Sequence, residues 1–216
     1  MQEGTMVATS YSVSKLVYSH IKRLFDIIIS IMALLILSPV FLIVIIAIKL
    51  ESKGHAIFTQ ERIGLNGELF KLYKFRSMIE NADQVLFDLL ESNEDLALEY
   101  KINKKLKHDP RITKIGALIR KTSIDELPQL LNVLKGEMSL IGNRPYLPRE
   151  KEDMGVYYDE IIKSKPGITG LWQTSGRNKT TFKARCKCEA DYSKNASLRR
   201  DIKIFFKTFA VLFKGL

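Results

Sequence analysis

The sequence has few of the residues that build disulfides, bind transition metals or act as general bases. Among its 216 residues are only two cysteines, three histidines and one tryptophan. Cys186 and Cys188 stand two positions apart on an expected helix, so their side chains leave in different directions and do not bridge each other. With no further cysteine, a disulfide framework is excluded, and the chain reads as reduced and cytosolic. His20, His55 and His108 are scattered, which removes support for a zinc centre or a Ser-His-Asp triad. Acidic residues are also in deficit, 24 against 34 Lys and Arg, giving a formal charge of +10. Such a chain binds nucleic acid, anionic lipid or phosphorylated small molecules, and charge alone does not choose among them. Internal repeats, low-complexity tracts and a second-domain linker are absent, so the length fits one domain with an appendage.

What is present first is an uncharged apolar run, Ile27 to Ile48. As one helix it would reach about 33 Å, enough for a hydrocarbon core of about 30 Å. It is too long and too far from the N-terminus for a simple signal peptide. Ser38-Pro39 stands near its middle, where proline removes a donor and clashes with the preceding turn. Both flanks are basic, with Lys15, Lys22 and Arg23 before and Lys49 and Lys53 after, so the positive-inside rule gives no orientation across the run. These details favour a re-entrant helix broken at Ser38-Pro39, dipping into one leaflet, over a spanning helix. Asp26 would then lie at headgroup level. Near the C-terminus Ile202, Phe205, Phe206, Phe209 and Phe213 recur at helical spacing, with Lys203, Lys207 and Lys214 opposite. That helix suits either the membrane interface or docking on the core.

The rest reads as a compact α+β domain, mainly helical. Ile57 to Phe75 is a β-hairpin turning at Asn66-Gly67. Its second strand delivers Lys74 and Arg76. Asn81 to Lys107 reads as helices broken near Ser92-Asn93. Asp109-Pro110 looks like a helix start, and Ile115 to Lys121 a helix with Arg120 and Lys121 in its last turn. Leu127, Leu130, Leu131 and Leu134 give an amphipathic helix ended by Gly136. Met138 to Gly142 is a short strand, Arg149 to Lys163 a helix, and Lys165 to Arg177 a loop. The expected organisation is a tail over 1–20, the re-entrant helix over 21–50 and a cytosolic domain over 51–216.

Asp125-Glu126 is the pair that carries chemistry. Ser123 followed by Glu126 matches a capping box, which needs no catalysis. Pro128 sits better if the helix starts nearer Asp125, which then lies at a mouth that attracts anions. Adjacent residues on a helix point about 100° apart, so the two acids would divide roles rather than face each other. A carboxylate can attack phosphorus, and Mg²⁺ takes one or two carboxylates plus substrate phosphates. Arg111, Arg120, Arg144 and Arg177 are candidates to bind phosphate oxygens.

Read in order, these motifs resemble the bacterial sugar transferase family, the monotopic polyprenyl-phosphate sugar-1-phosphate transferases. The landmarks are Lys22-Arg23-Leu24-Phe25-Asp26, the Ser38-Pro39 break, Thr59 to Gly64, Lys74 to Met78 and Asp109 to Thr113. They continue with Arg120 to Gln129, Gly136 to Gly142 and Pro166 to Gln173. The resemblance covers the chain from about Ile21 onward and takes the form of the minimal catalytic unit. It implies that Asp125 attacks the phosphate of a UDP-sugar, releasing UMP, and that undecaprenyl phosphate then takes the phosphosugar. Glu126 would hold Mg²⁺, Arg120 and Arg144 would contact phosphate, and Lys74, Arg76, Arg111 and Arg177 would bind substrate. A galactose- or glucose-1-phosphate donor, the cytoplasmic face of a bacterial membrane, priming of capsule, exopolysaccharide or O-antigen, and no nucleic-acid partner are expected; a homodimer is left open. The family's Pro-Arg-Pro reads Asn143-Arg144-Pro145 here, and tryptophans common near its C-terminus are replaced by Ala196 and Arg199. The rivals are a membrane-tethered nucleic-acid binder, which leaves the acids and the apolar run unexplained, and a membrane scaffold in which Glu126 merely caps a helix.

Overall fold

The computed structural model describes residues 2–103, 106–175 and 181–213, and its longest element is helix α1, Gln2–Glu51. The helix continues through the expected break, because the defect at Pro39 is repaired locally. Pro39 lacks the N–H that would reach the carbonyl of Leu35 four residues back. The Ser38 hydroxyl donates to that carbonyl instead, at 2.8 Å. Helix also covers residues expected as a loose tail, since each residue added to a formed helix gains a bond.

Helix α1 is an exposed apolar element, not a core helix. Leu35 and Ile36 are each 70 % exposed. It touches the domain at two separate places. At the first, Arg23 donates to the Val133 and Leu134 carbonyls at the end of helix α5 (Gln129–Lys135), where unpaired carbonyls attract a cation. Asp26 is buried against the domain, accepting from the Leu140 N–H at 2.9 Å and the Ser139 hydroxyl at 3.1 Å. At the second, Val44 and Ile48 pack with Phe75, Ile119 and Ala56.

The hairpin forms as the sequence predicts. Strand β1 (Ile57–Ile63) pairs antiparallel with β2 (Leu69–Phe75), from Ile57 opposite Phe75 to Ile63 opposite Leu69. Asn66 and Gly67 supply the positive φ of the turn, 56° and 84°. Helices α2 (Ala82–Ser92) and α3 (Glu94–Asn103) meet at Asn93, whose side chain accepts from the Leu96 N–H. Asp109-Pro110 does not start a helix. Asp109 takes the Arg111 N–H and guanidinium, an Asx-type turn that competes with helix. Helix α4 (Lys114–Lys121) starts after Thr113, whose side chain accepts from the Gly116 N–H. A Cβ on Gly116 would lie 2.0 Å from the Ser77 carbonyl, so the residue's smallness lets α4 sit on the end of β2.

The buried face of α5 differs from the leucine pattern. Leu131 is exposed and Asn132 fully buried. Asn132 completes the free edge of β2, accepting from the Tyr73 N–H and donating to the Lys71 carbonyl. An edge strand's unpaired backbone thus outweighs helical periodicity. The predicted strand β3 (Ser139–Ile141) pairs in parallel with β4 (Gly167–Thr169), part of the segment read as loop. Helix α8 (Leu171–Thr174) follows directly. A Cβ on Gly167 would meet the Gly142 nitrogen at 2.1 Å, so only glycine allows this approach. The helix expected from Arg149 is two short pieces, α6 (Lys151–Met154) and α7 (Tyr158–Ile161), divided at Gly155 with φ 52°. Helix α9 (Phe182–Lys194) carries the two unbridged cysteines. Helix α10 (Leu198–Phe213) docks on the domain through Asp201 and Ile204, which are buried, while Ile202, Phe206 and Phe209 stay exposed. The Phe213 side chain and Lys214 lie outside the described residues.

Candidate active site

Asp125 sits in a single 3-10 turn, Ile124–Glu126, between α4 and α5. Ser123, the expected cap, makes no capping bond. Its left-handed backbone, φ 56°, reverses the chain after α4 and turns Asp125 inward. Asp125 is 8 % exposed and lines a cleft of about 1570 Å³. Burial pushes its pKa up to about 6. Lys74 and Arg120 pull it down, and the neighbouring Glu126 charge pushes it up. Asp125 is therefore a desolvated carboxylate that ionises just below neutral pH, facing cations that favour the charged form.

Glu126 takes a different direction. Its Oε1 is 2.9 Å from Lys74 Nζ at the end of β2, and its side chain is 31 % exposed. Arg120 is oriented by its Nε, which donates to the Ser77 hydroxyl at 2.8 Å. The structure thus brings together Asp125, Glu126, Lys74 and Arg120 from three separate elements. Among the described residues no group of three or more metal-ligating side chains converges. Two adjacent carboxylates in a cationic cleft suit only the Mg²⁺ mode in which substrate phosphates and water complete the shell.

Arg144 lines the same cleft, with its guanidinium 6.0 Å from the Trp172 ring. Its loop is held rigidly although the turn lacks the family's first proline. Asn143 is buried and donates to the Ile161 carbonyl at 3.0 Å and the Ser193 hydroxyl at 2.7 Å. Side-chain hydrogen bonds replace ring rigidity there. The Arg144 N–H donates to Glu189 on α9. Glu189 is buried, and burial pushes its pKa up to about 7 against the pull of the Tyr146 hydroxyl, the Arg144 N–H and the Arg185 and Arg144 charges.

Arg76 and Arg111 line the cleft, and each also makes structural bonds through its guanidinium. Arg76 donates to the Ser52 carbonyl at 2.9 Å and the Ser52 hydroxyl at 2.8 Å, holding the end of α1. Arg111 grips both oxygens of Asp109, at 2.8 and 2.6 Å, and reaches the Ala82 carbonyl. Arg177 lies outside the described residues. Sequence reasoning missed Arg62, which is buried in the cleft wall and donates to the Pro145 carbonyl at 3.0 Å, and Glu189. No local pattern marks either, since a buried neighbour such as Ile63 beside Arg62 on β1 leaves from the opposite face of the strand.

Residues 17–215 match the family described as bacterial sugar transferase. The chain is 47 % identical over 210 residues to an uncharacterized sugar transferase of Haemophilus influenzae, covering 97 % of this chain and 44 % of that protein. It is 45 % identical over 187 residues to exopolysaccharide production protein ExoY of Sinorhizobium fredii, covering 87 % of this chain and 83 % of that protein. It is 46 % identical over 194 residues to the undecaprenyl-phosphate galactose phosphotransferase of Salmonella typhimurium, covering 90 % of this chain and 40 % of that protein. The chain spans less than half the length of the first and third relatives and most of the second.

Proposed function

Because the chain belongs to the bacterial sugar transferase family, we propose that it moves a sugar-1-phosphate from a UDP-sugar to undecaprenyl phosphate at one face of a membrane, priming a surface polysaccharide. The observation that carries this reading is Asp125 itself, a buried carboxylate poised near pH 6 in a large cleft beside Lys74 and Arg120. An Asp125 oxygen attacks the phosphorus that bears the sugar, the bond to the bridging oxygen breaks, and UMP leaves with that electron pair. A phosphate oxygen of the lipid acceptor then attacks the same phosphorus. Asp125 returns to its carboxylate, and a lipid-linked diphosphosugar results. Lys74, Arg120 and Arg144 bind the phosphate oxygens and stabilise their developing charge. Glu126, with substrate phosphates, would hold Mg²⁺, which when bound would neutralise the donor diphosphate.

The placement of α1 supports a monotopic arrangement. Asp26 and Ile48 bracket a run long enough for the hydrocarbon core, yet both ends dock on the same domain. A spanning helix would put those docking points on opposite sides of the bilayer. With both ends docked on one domain, α1 lies along one face of the bilayer, and Asp125 stays on the cytosolic side, where a nucleotide sugar is found.

Galactose is the first sugar to test, given the Salmonella relative's name, with glucose second. The experiment is UMP release by the full chain in detergent with Mg²⁺, undecaprenyl phosphate and a panel of UDP-sugars. Release from one donor, abolished by Asp125→Asn, is expected. No release from any donor by folded protein would overturn the reading.

A further inference from the structure

Arg144 lines the cleft, yet its Nε is buried with no hydrogen-bond partner among the described residues. The other cations beside Asp125 are aimed by direct bonds, Arg120 by the Ser77 hydroxyl and Lys74 by Glu126. Two groups lie against Arg144 instead. One is the Trp172 ring of α8, 6.0 Å from the guanidinium. The other is Glu189 of α9, whose Oε1 accepts the Arg144 N–H at 3.1 Å.

Glu189 is 1 % exposed. A buried carboxylate is costly, and an uncharged residue of the same size removes that cost. Burial pushes its pKa up to about 7, while the Tyr146 hydroxyl, the Arg144 N–H and the Arg185 and Arg144 charges hold it down. Arg185 stands one turn before Glu189 on α9, so the two share a face. Its guanidinium packs over three rings, Phe182 at 4.6 Å, Trp172 at 4.9 Å and Tyr146 at 5.3 Å. Trp172 therefore has two guanidinium groups against one ring, and like charges so placed repel. Glu189 is the anion that both meet. Its second oxygen makes no hydrogen bond among the described residues, so its charge acts on the two guanidinium groups through space.

We propose that Glu189 is the positioning residue of Arg144: from outside the cleft its carboxylate fixes the Arg144 backbone and, with Arg185 and Trp172, keeps the Arg144 guanidinium turned to the phosphates of the donor. This rests on the transferase reading above, in which Arg144 binds phosphate. The sign of the effect separates positioning from charge alone. Glu189 is negative and lies near a site for anions, so by charge alone its neutralisation would tighten phosphate binding. As a positioning residue, its neutralisation weakens that binding.

The test titrates the full chain in detergent with UDP and Mg²⁺ at pH 8, where the Glu189 carboxyl is ionised. Trp172 is the one tryptophan of the chain, so its fluorescence reports both the binding and the stack. Glu189→Gln keeps the size and an acceptor for the Arg144 N–H and loses the charge. It is expected to raise the Kd for UDP about tenfold, the size of one lost charge-assisted hydrogen bond, and to change Trp172 emission in the free protein. Arg144→Ala is expected to weaken UDP at least as much, and Glu189→Gln added to it to change the Kd by less than about twofold. Should the glutamine variant not fold, Glu189→Asp, which keeps the charge one methylene short, is expected to show a smaller loss that also vanishes beside Arg144→Ala. Unchanged or tighter UDP binding in a folded Glu189 variant would overturn the inference, as would losses that add in the double variant. No UDP binding by the folded wild-type chain would overturn the transferase reading, and this inference with it.

Discussion

Arg76 donates to both the carbonyl and the hydroxyl of Ser52, at 2.9 and 2.8 Å, and so ties the strand that carries Lys74 to the end of the long apolar helix α1. One nitrogen of its guanidinium clamps the end of α1. Arg76→Ala is expected to destabilise the protein by about 1–3 kcal/mol, because a partly buried carbonyl and hydroxyl lose a charged partner. Activity should fall through kcat while the KM for UDP-sugar stays within about twofold, since no direct contact to the donor is lost. Thermal unfolding and steady-state kinetics check both parts. A rise in KM with intact stability would return Arg76 to substrate binding.

The contrast between Arg76 and Asp125 shows where sequence reasoning reaches. The hairpin, the α2–α3 break at Asn93, the stop at Gly136 and strand β3 are local signals of turn chemistry and periodicity, and all are found. The parallel pairing of β3 with β4 joins segments far apart in sequence, and nothing local announces it. Asn132 faces inward because β2 has an edge to satisfy, which the leucine spacing on α5 does not encode. The Ser38 hydroxyl at the Leu35 carbonyl carries the helix past a proline that reads as a break. For the site, residue type located the cleft's cations, but whether a guanidinium faces substrate or a backbone carbonyl depends on tertiary contacts.

Asp125→Asn should lose activity and gain stability. Burial raises the Asp125 pKa from its ordinary 3.8 to about 6. The folded state therefore binds a proton more tightly than the unfolded state does. That stability is fully present below about pH 4 and is lost as pH rises to about 6. The amide carries no such penalty. The variant's advantage should grow by about 1 kcal/mol between pH 5 and pH 8 and stay flat above about 7. Denaturant unfolding at several pH values measures this. A variant less stable than wild type at pH 8 would show the carboxylate to be structurally required.

The same titration predicts the acid limb of the enzyme. The attacking carboxylate must be ionised, so donor-half turnover should fall about tenfold per unit below roughly pH 6 and level off above it. Lys74 lowers the Asp125 pKa. Lys74→Met should therefore move the limb towards alkaline pH and lower the plateau. A limb that does not move with Lys74 would assign the titration to another group.

Both docking points of α1 belong to one side of the membrane in this account. In a chain with Cys186 and Cys188 replaced by serine, single cysteines at Leu16 and Lys53 should both react with an impermeant thiol reagent in inside-out vesicles. Neither should react in right-side-out vesicles. Labelling of the two positions from opposite sides would establish a spanning helix.

The most direct test of the central claim is to trap the covalent step. The full chain is mixed with UDP-galactose or UDP-glucose without acceptor, quenched in acid and digested, and the peptide containing Asp125 is weighed. The account predicts a hexose-phosphate adduct on Asp125 that appears with one equivalent of UMP, is absent in Asp125→Asn and is discharged by undecaprenyl phosphate. Efficient single-turnover transfer to the acceptor with no adduct at any time would contradict it and assign direct displacement.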